Sequence, residues 1–234
     1  PYLEEALQAL AGLAFEAGEW DEAARRFRAA HERDRGAVWY LTSEARCLLT
    51  AAQAAEARGE DGQPRRDRAV AAVQEAMTLA PASAELFGME CEARLDEAER
   101  RQRRGEDSSA PIEEASGAIE RAIALQPKEA PLLNRRALLL RMRGAATRAR
   151  GGDPAAAAAA ALETCRGAIG LDPALAEAHG NLGDILFRMA ESKEDRGEDP
   201  SACFEEAFAA YGAMLRLDPR HLGARTNQAC LAQA

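Results

Sequence analysis

The sequence predicts an all-α fold, a solenoid of antiparallel helical hairpins. Three observations predict it. Arg-Gly-Glu-Asp stands at residues 58–61, 104–107 and 196–199, and Arg-Gly-Gly-Asp at 150–153, so the pattern returns every 46 residues. Prolines keep the same interval at Pro81, Pro127, Pro173 and Pro219. Alanines do so too: one column runs through Ala69, Ala115, Ala161 and Ala207, and another through Ala76, Ala122, Ala168 and then Met214. Strict repetition at such a period marks stacked supersecondary units, each burying its apolar face on its neighbours.

Each period reads as two helices. In 175–196, "LAEAHGNLGDILFRMAESKEDR", the residues Leu182, Ile185, Leu186 and Met189 fall three and four apart and form one apolar stripe. Arg196 ends that helix, and its charge complements the helix dipole. Gly197 follows, where glycine's access to the left-handed region closes the helix. Asp199 caps the next helix through its side-chain oxygen, and Pro200 suits the first turn, where no backbone N–H is required. The second helix runs to about Leu217 and stops at Asp218-Pro219. The recurring tetrapeptide is therefore a helix stop, a tight turn and a helix start. No phosphate-binding loop and no dinucleotide fingerprint is hidden in it.

Composition agrees. Of 234 residues, 47% are apolar and 29% charged, which suits an ordered chain rather than a disordered one. Aromatics are only 5% and alanine is abundant, so helices can pack closely through small side chains. A net charge of −9 excludes a general nucleic-acid binder, because phosphate contacts need excess Lys and Arg. Lysine occurs only at Lys128 and Lys193, so nearly all basic charge is arginine. The run Ala155–Leu162 is too short to span a bilayer, so no membrane insertion is expected. The five cysteines, Cys47, Cys91, Cys165, Cys203 and Cys230, are an odd number without a C-x-x-C. Reduced, mostly buried thiols in a cytoplasmic protein fit them best. The chain opens on Pro1, which reads as a processed product or a piece of something longer.

With the extra length removed, the pattern resembles the tetratricopeptide repeat (TPR), which reads W-x2-L-G-x2-Y, then A-x3-F, then P, over 34 residues. Here His179, Leu182, Gly183 and Leu186 are followed by Ala207, Tyr211 and Pro219. A first unit of ordinary length, about 4–37, shows Leu7, Leu10, Ala11 and Ala14, then Gly18, Ala23 and Phe27. Four longer units follow at about 38–83, 84–129, 130–175 and 176–221, and a trailing helix occupies 222–234. Each exceeds the family length by 12 residues, about seven in the first helix and five in the second as counted from the glycine. Arg35 stands where the family has its proline, and Phe87, Glu90 and Cys91 depart from the bulky-Leu-Gly pattern. The resemblance implies a single right-handed TPR-like α-solenoid. The "RGEDP" turns and "LDP" ends are also similar to TPR regions of large bacterial serine/threonine kinases of myxobacterial type, which implies a place in a larger signalling protein.

In the family, the first helices line a concave wall that binds peptides or a partner's helix, and some members hold peptide backbone with a ladder of asparagines. An asparagine offers both donor and acceptor to a peptide group. The corresponding column here reads Ala9, Ser43, Met89, Arg135, Asn181 and Asn227. Neighbouring wall positions hold Arg46, Asn134, Arg141, Asp184 and Arg188. These residues form either a polar binding groove or a solvated helix face whose asparagines serve local packing. Asn134, Arg135 and Arg141 could accept an acidic segment, since arginine forks onto carboxylates. The family's lysine clamp for chaperone C-termini lacks its lysines here.

Two basic clusters, at 65–68 and 100–104, lie near the hairpin tips and read as solvated arginines offset by Glu97, Glu99, Glu106 and Asp107. His31, His179 and His221 are too far apart in the array to share a metal. No nucleophile has a motif-level base, so no catalytic residue and no cofactor is expected. The expected function is a non-catalytic interaction scaffold with a peptide or protein partner. The alternative is an architectural module that self-associates through its open end near Ala234.

Overall fold

The computed structural model describes residues 2–232, with side chains in the first helix from Ala6 onward apart from Leu7. The Leu7 side chain and the end at Ala234 lie outside the described residues. Eleven helices are found there: α1 Tyr2–Glu16, α2 Trp20–Arg33, α3 Val38–Ala57, α4 Gln63–Leu79, α5 Ala84–Arg103, α6 Ser109–Leu125, α7 Ala130–Ala149, α8 Ala155–Leu171, α9 Ala176–Asp195, α10 Ser201–Leu217 and α11 Leu222–Leu231. The described residues hold no strand. From α3 to α10, odd helices have 20 residues and even helices 17. The matching helix of the short first unit, α2, has 14. Of the five residues assigned above to a longer second helix, three therefore lengthen the helix and two widen the turn.

The turns follow from their residues. Gly18, Gly59, Gly105, Gly151 and Gly197 all have φ between 70° and 78°, a region that side chains with a Cβ avoid. Each closes its helix with the same pair of backbone bonds. In the last hairpin, the Gly197 N–H donates to the Glu194 carbonyl and the Glu198 N–H to the Lys193 carbonyl, both at 2.9 Å. That pairing satisfies carbonyls that the helix end would leave bare. Asp61, Asp107, Asp153 and Asp199 then each accept a bond from the backbone N–H two residues on, at 2.9–3.0 Å. Pro200 already has helical φ and ψ, so Asp199 acts as the N-cap of α10.

The chain divides into two compact units, residues 1–93 and 94–234. In the first, α1–α2 and α3–α4 pack as hairpins around Ala11, Ala23, Phe27, Ala45, Leu48, Ala69 and Val73. In the second, α7–α8 and α9–α10 do the same. One of its clusters joins Ala137, Ala161, Cys165 and Ile185, and another joins Leu186, Ala207, Tyr211, Met214 and Ala224. Every alanine of the two columns is fully buried, and Ala23 and Ala30 extend both columns into the first unit. A methyl group is the largest side chain that lets helix backbones approach so closely. Ion pairs join helices at matching positions: Arg28 meets Glu44 at 2.7 Å, and two periods on, with signs reversed, Arg136 meets Glu120 at 2.9 Å.

Several arginines of both clusters are paired with carboxylates. Arg65 binds Asp21 at 2.7 Å, and Arg66 is buried and binds Glu56 at 2.6 Å. Arg100 and Arg101 both bind Glu97. Arg66 thus belongs to the interior instead of the solvated face expected from its cluster, because Glu56 meets its charge. His221 caps α11, its Nδ1 accepting from the Ala224 N–H at 3.0 Å.

Candidate functional site

The odd-numbered helices carry all eight wall residues singled out above. In the first unit, Arg46 is exposed on α3 and lies 3.7 Å from Glu85. The other seven are in the second unit. Asn134, Arg135 and Arg141 are on α7, Asn181, Asp184 and Arg188 on α9, and Asn227 on α11.

Two groups of contacts tie α7, α9 and α11 together. Asn181 donates from Nδ2 to Oδ1 of Asn134 at 2.9 Å. Asn134 is buried and Asn181 half-buried, so the pair is a cross-helix tie with one face open to solvent. Further along α9, Asp184 Oδ1 accepts from the Tyr211 hydroxyl at 2.7 Å and from Asn227 Nδ2 at 3.4 Å. Asn227 also donates to the Tyr211 oxygen at 3.2 Å. Tyr211 therefore bridges the packed interior of its hairpin and the polar wall.

Burial pushes the Tyr211 phenol up, and the Asp184 carboxylate pushes it further. The hydroxyl consequently stays protonated and donating far above neutral pH. The sequence pattern places Tyr211 only in the apolar A-x3-F column. The signal that could have found its second role is the hydroxyl itself, since the same column holds Phe27, Val73, Ile119 and Cys165 elsewhere.

The wall cations differ in their surroundings. Arg188 is exposed and reaches Glu191 at 2.8 Å, with its guanidinium 6.0 Å from the Phe187 ring. Arg135 is half-buried. Arg141 is half-buried too, and its buried Nε has no hydrogen-bond partner. The structure thus brings Asn134 to Asn181 and Asp184 to Asn227. It places Arg46 in the other unit.

Cysteine chemistry is quiet. Burial pushes the Cys165 thiol up to about 12, and its Sγ donates to the Ala178 carbonyl at 3.1 Å. Cys47 is pushed up to about 11 by burial. Neither presents a thiolate at neutral pH. All five thiols are free, and four are buried. No described helix is long and apolar enough to cross a membrane.

No protein-family model matches the sequence, and no curated protein matches it. Solved structures do match. TTC0263, a thermophilic TPR protein of Thermus thermophilus, superposes with a TM-score of 0.68 at 18% identity, covering 99% of this chain and 100% of that one. The MamA protein gives 0.57 at 15% identity over 93% of this chain and 92% of its own. YrrB, a TPR protein with an unusual peptide-binding site, gives 0.54 at 16% identity over 95% and 90%. At such identities the likeness is one of fold, and the fold is the tetratricopeptide-repeat solenoid.

Proposed function

We propose that the chain is a non-catalytic interaction scaffold that binds a peptide or partner domain on the wall formed by α7, α9 and α11. The observation that carries this reading is the row Asn134, Asn181, Asp184 and Asn227. Four hydrogen-bonding side chains stand on three successive first helices, fixed by one another and by Tyr211. A peptide backbone needs donors and acceptors held in place, and a preformed wall binds with little ordering cost on its own side. The peptide-binding site of YrrB, on the same fold, supports the reading. Arg46 on α3 is a separate candidate contact in the first unit.

The test is affinity. Peptides selected from a random displayed library on the intact chain should bind the Asn181→Ala, Asn227→Ala double variant about tenfold or more weakly. That loss corresponds to one or two net hydrogen bonds. Helicity by circular dichroism should be unchanged. Equal affinity in the double variant would exclude the wall.

The signalling context rests on the sequence resemblance to kinase-associated repeats. A cytoplasmic location is supported by the free thiols, which persist in reducing compartments. Self-association through the C-terminal end is the second reading. Leu222 of α11 favours it, being 74% exposed. Sedimentation over a concentration series decides it: a constant monomer mass removes that reading.

A further inference from the structure

The first hairpin stops short of the second, and the step between them leaves a cavity. Ala11 and Ala45 hold the same place in their repeats. Gly18 follows Ala11 by seven residues, whereas Gly59 follows Ala45 by 14. The extra residues carry α3 about 10 Å past the first turn. A cavity of about 430 Å³ opens beside that overhang, within the first compact unit. Gly18, Glu19 and Trp20 line it from the turn, and Ala51 and Arg58 from α3.

The turn departs from the later ones at two positions. In the later units an arginine precedes the turn glycine, at Arg58, Arg104, Arg150 and Arg196. Two of these hold the glutamate that follows the glycine: Arg58 meets Glu60 at 2.9 Å, and Arg196 meets Glu198 at 2.6 Å. The first unit has Ala17 in that place, so Glu19 lacks the corresponding partner. The second departure is Trp20, half-buried, which stands where the later turns carry the capping aspartates Asp61, Asp107, Asp153 and Asp199. Its ring lies against the turn, since a Cβ on Gly18 would come within 3.8 Å of it.

The other charges around the cavity are engaged. Asp21 meets Arg65 at 2.7 Å, Glu22 accepts from both Arg25 and Arg26, and Arg58 is held by Glu60. Among the described residues, Glu19 is the one charged side chain lining the cavity that has no ion pair. A carboxylate and an indole ring, side by side in a cleft of a chain with net charge −9, suit a cation. Asp21 and Glu22 in the first turn of α2 offset the positive end of its dipole.

We propose that Glu19 and Trp20 hold the cationic side chain of a lysine or arginine on a partner protein. The methylene stem packs on the indole, and the ammonium or guanidinium takes the Glu19 carboxylate as its counter-ion. Partial enclosure limits the screening that solvent imposes on open surface pairs. The site uses no residue of the wall proposed above, so either can fail without the other.

The indole N–H signals in a nitrogen–proton correlation spectrum test it, because the chain has two tryptophans, Trp20 and Trp39. The probes are lysine, arginine, norleucine and citrulline, each acetylated and amidated so that only the side chain differs. The lysine or arginine probe should move the Trp20 signal saturably and leave the Trp39 signal in place. Norleucine and citrulline, which keep the stem or the shape without the charge, should move neither. Glu19→Gln should weaken binding at least about tenfold, the loss of a charge-assisted hydrogen bond. Glu19 makes no side-chain cap bond to α2, so this variant should melt with the parent. A response to arginine alone assigns a guanidinium, a response to lysine alone an ammonium, and a response to both admits either. Equal shifts of Trp20 and Trp39, an equal response to the neutral probes, no saturable shift from either cation, or undiminished affinity in Glu19→Gln overturns the proposal.

Discussion

Gly183 has no room for a side chain, because a Cβ there would lie 2.6 Å from the Tyr211 ring. Tyr211 is 2% exposed and pinned by Asp184 and Asn227, so the ring cannot step aside. Gly183→Ala should therefore cost about 1–3 kcal/mol in urea unfolding, the usual penalty for overpacking. It should also weaken the wall's polar row by displacing the Tyr211 hydroxyl. Glu44 makes a different kind of case. Burial raises its pKa despite the Arg28 guanidinium 2.7 Å away. In the folded state Glu44 then takes up its proton at higher pH than in the unfolded chain. The native state gains stability as pH falls through that raised value towards the ordinary 4.5, and it loses that gain as pH rises. Relative to Glu44→Gln, the parent should become more stable on acidification across that window. Urea titrations at a series of pH values check the sign; a flat difference would contradict it.

At the level of helices and turns, much was legible in the sequence, since backbone geometry permits few residues at some positions. Gly59, Gly105, Gly151 and Gly197 announce left-handed turns, and the aspartates two residues on announce the next helix. Gly197→Ala should cost about 1–2 kcal/mol, purely from the backbone conformation, because an added Cβ there meets nothing within 4 Å. A thermal melt of that variant is the check, and an unchanged midpoint would contradict the assignment. Alanine columns likewise reveal which helix faces meet. Helix periodicity does not reveal where the end of a long polar side chain finds its partner. That is why the burial of Arg66 on Glu56, the cap by His221 and the reach of the Tyr211 hydroxyl to α9 were not legible. Each depends on a contact between residues 3 to 27 positions apart whose geometry the turn sets. The division of five extra residues between helix and turn was hidden for a similar reason: Gly62 and Gln63 are both compatible with either state.

For the whole molecule, the repeat accounts for the function proposed. Each hairpin is closed by the same turn and packed by the same small residues, so the chain can vary its first-helix faces without altering the frame. The wall positions were legible as columns, yet the sequence left open whether they form a groove or a solvated face. The asparagine tie and the Tyr211 bridge hold Asn134, Asn181, Asp184 and Asn227 in fixed positions, which the proposed binding wall requires. The decisive experiment is an amide shift map by TROSY nuclear magnetic resonance with a library-selected peptide. Perturbed residues should cluster on α7, α9 and α11, around Asn134, Asn181, Asp184 and Asn227. Perturbations confined to the hairpin tips at 104–107, 150–153 and 196–199, or to the outer faces of α8 and α10, would contradict the binding wall.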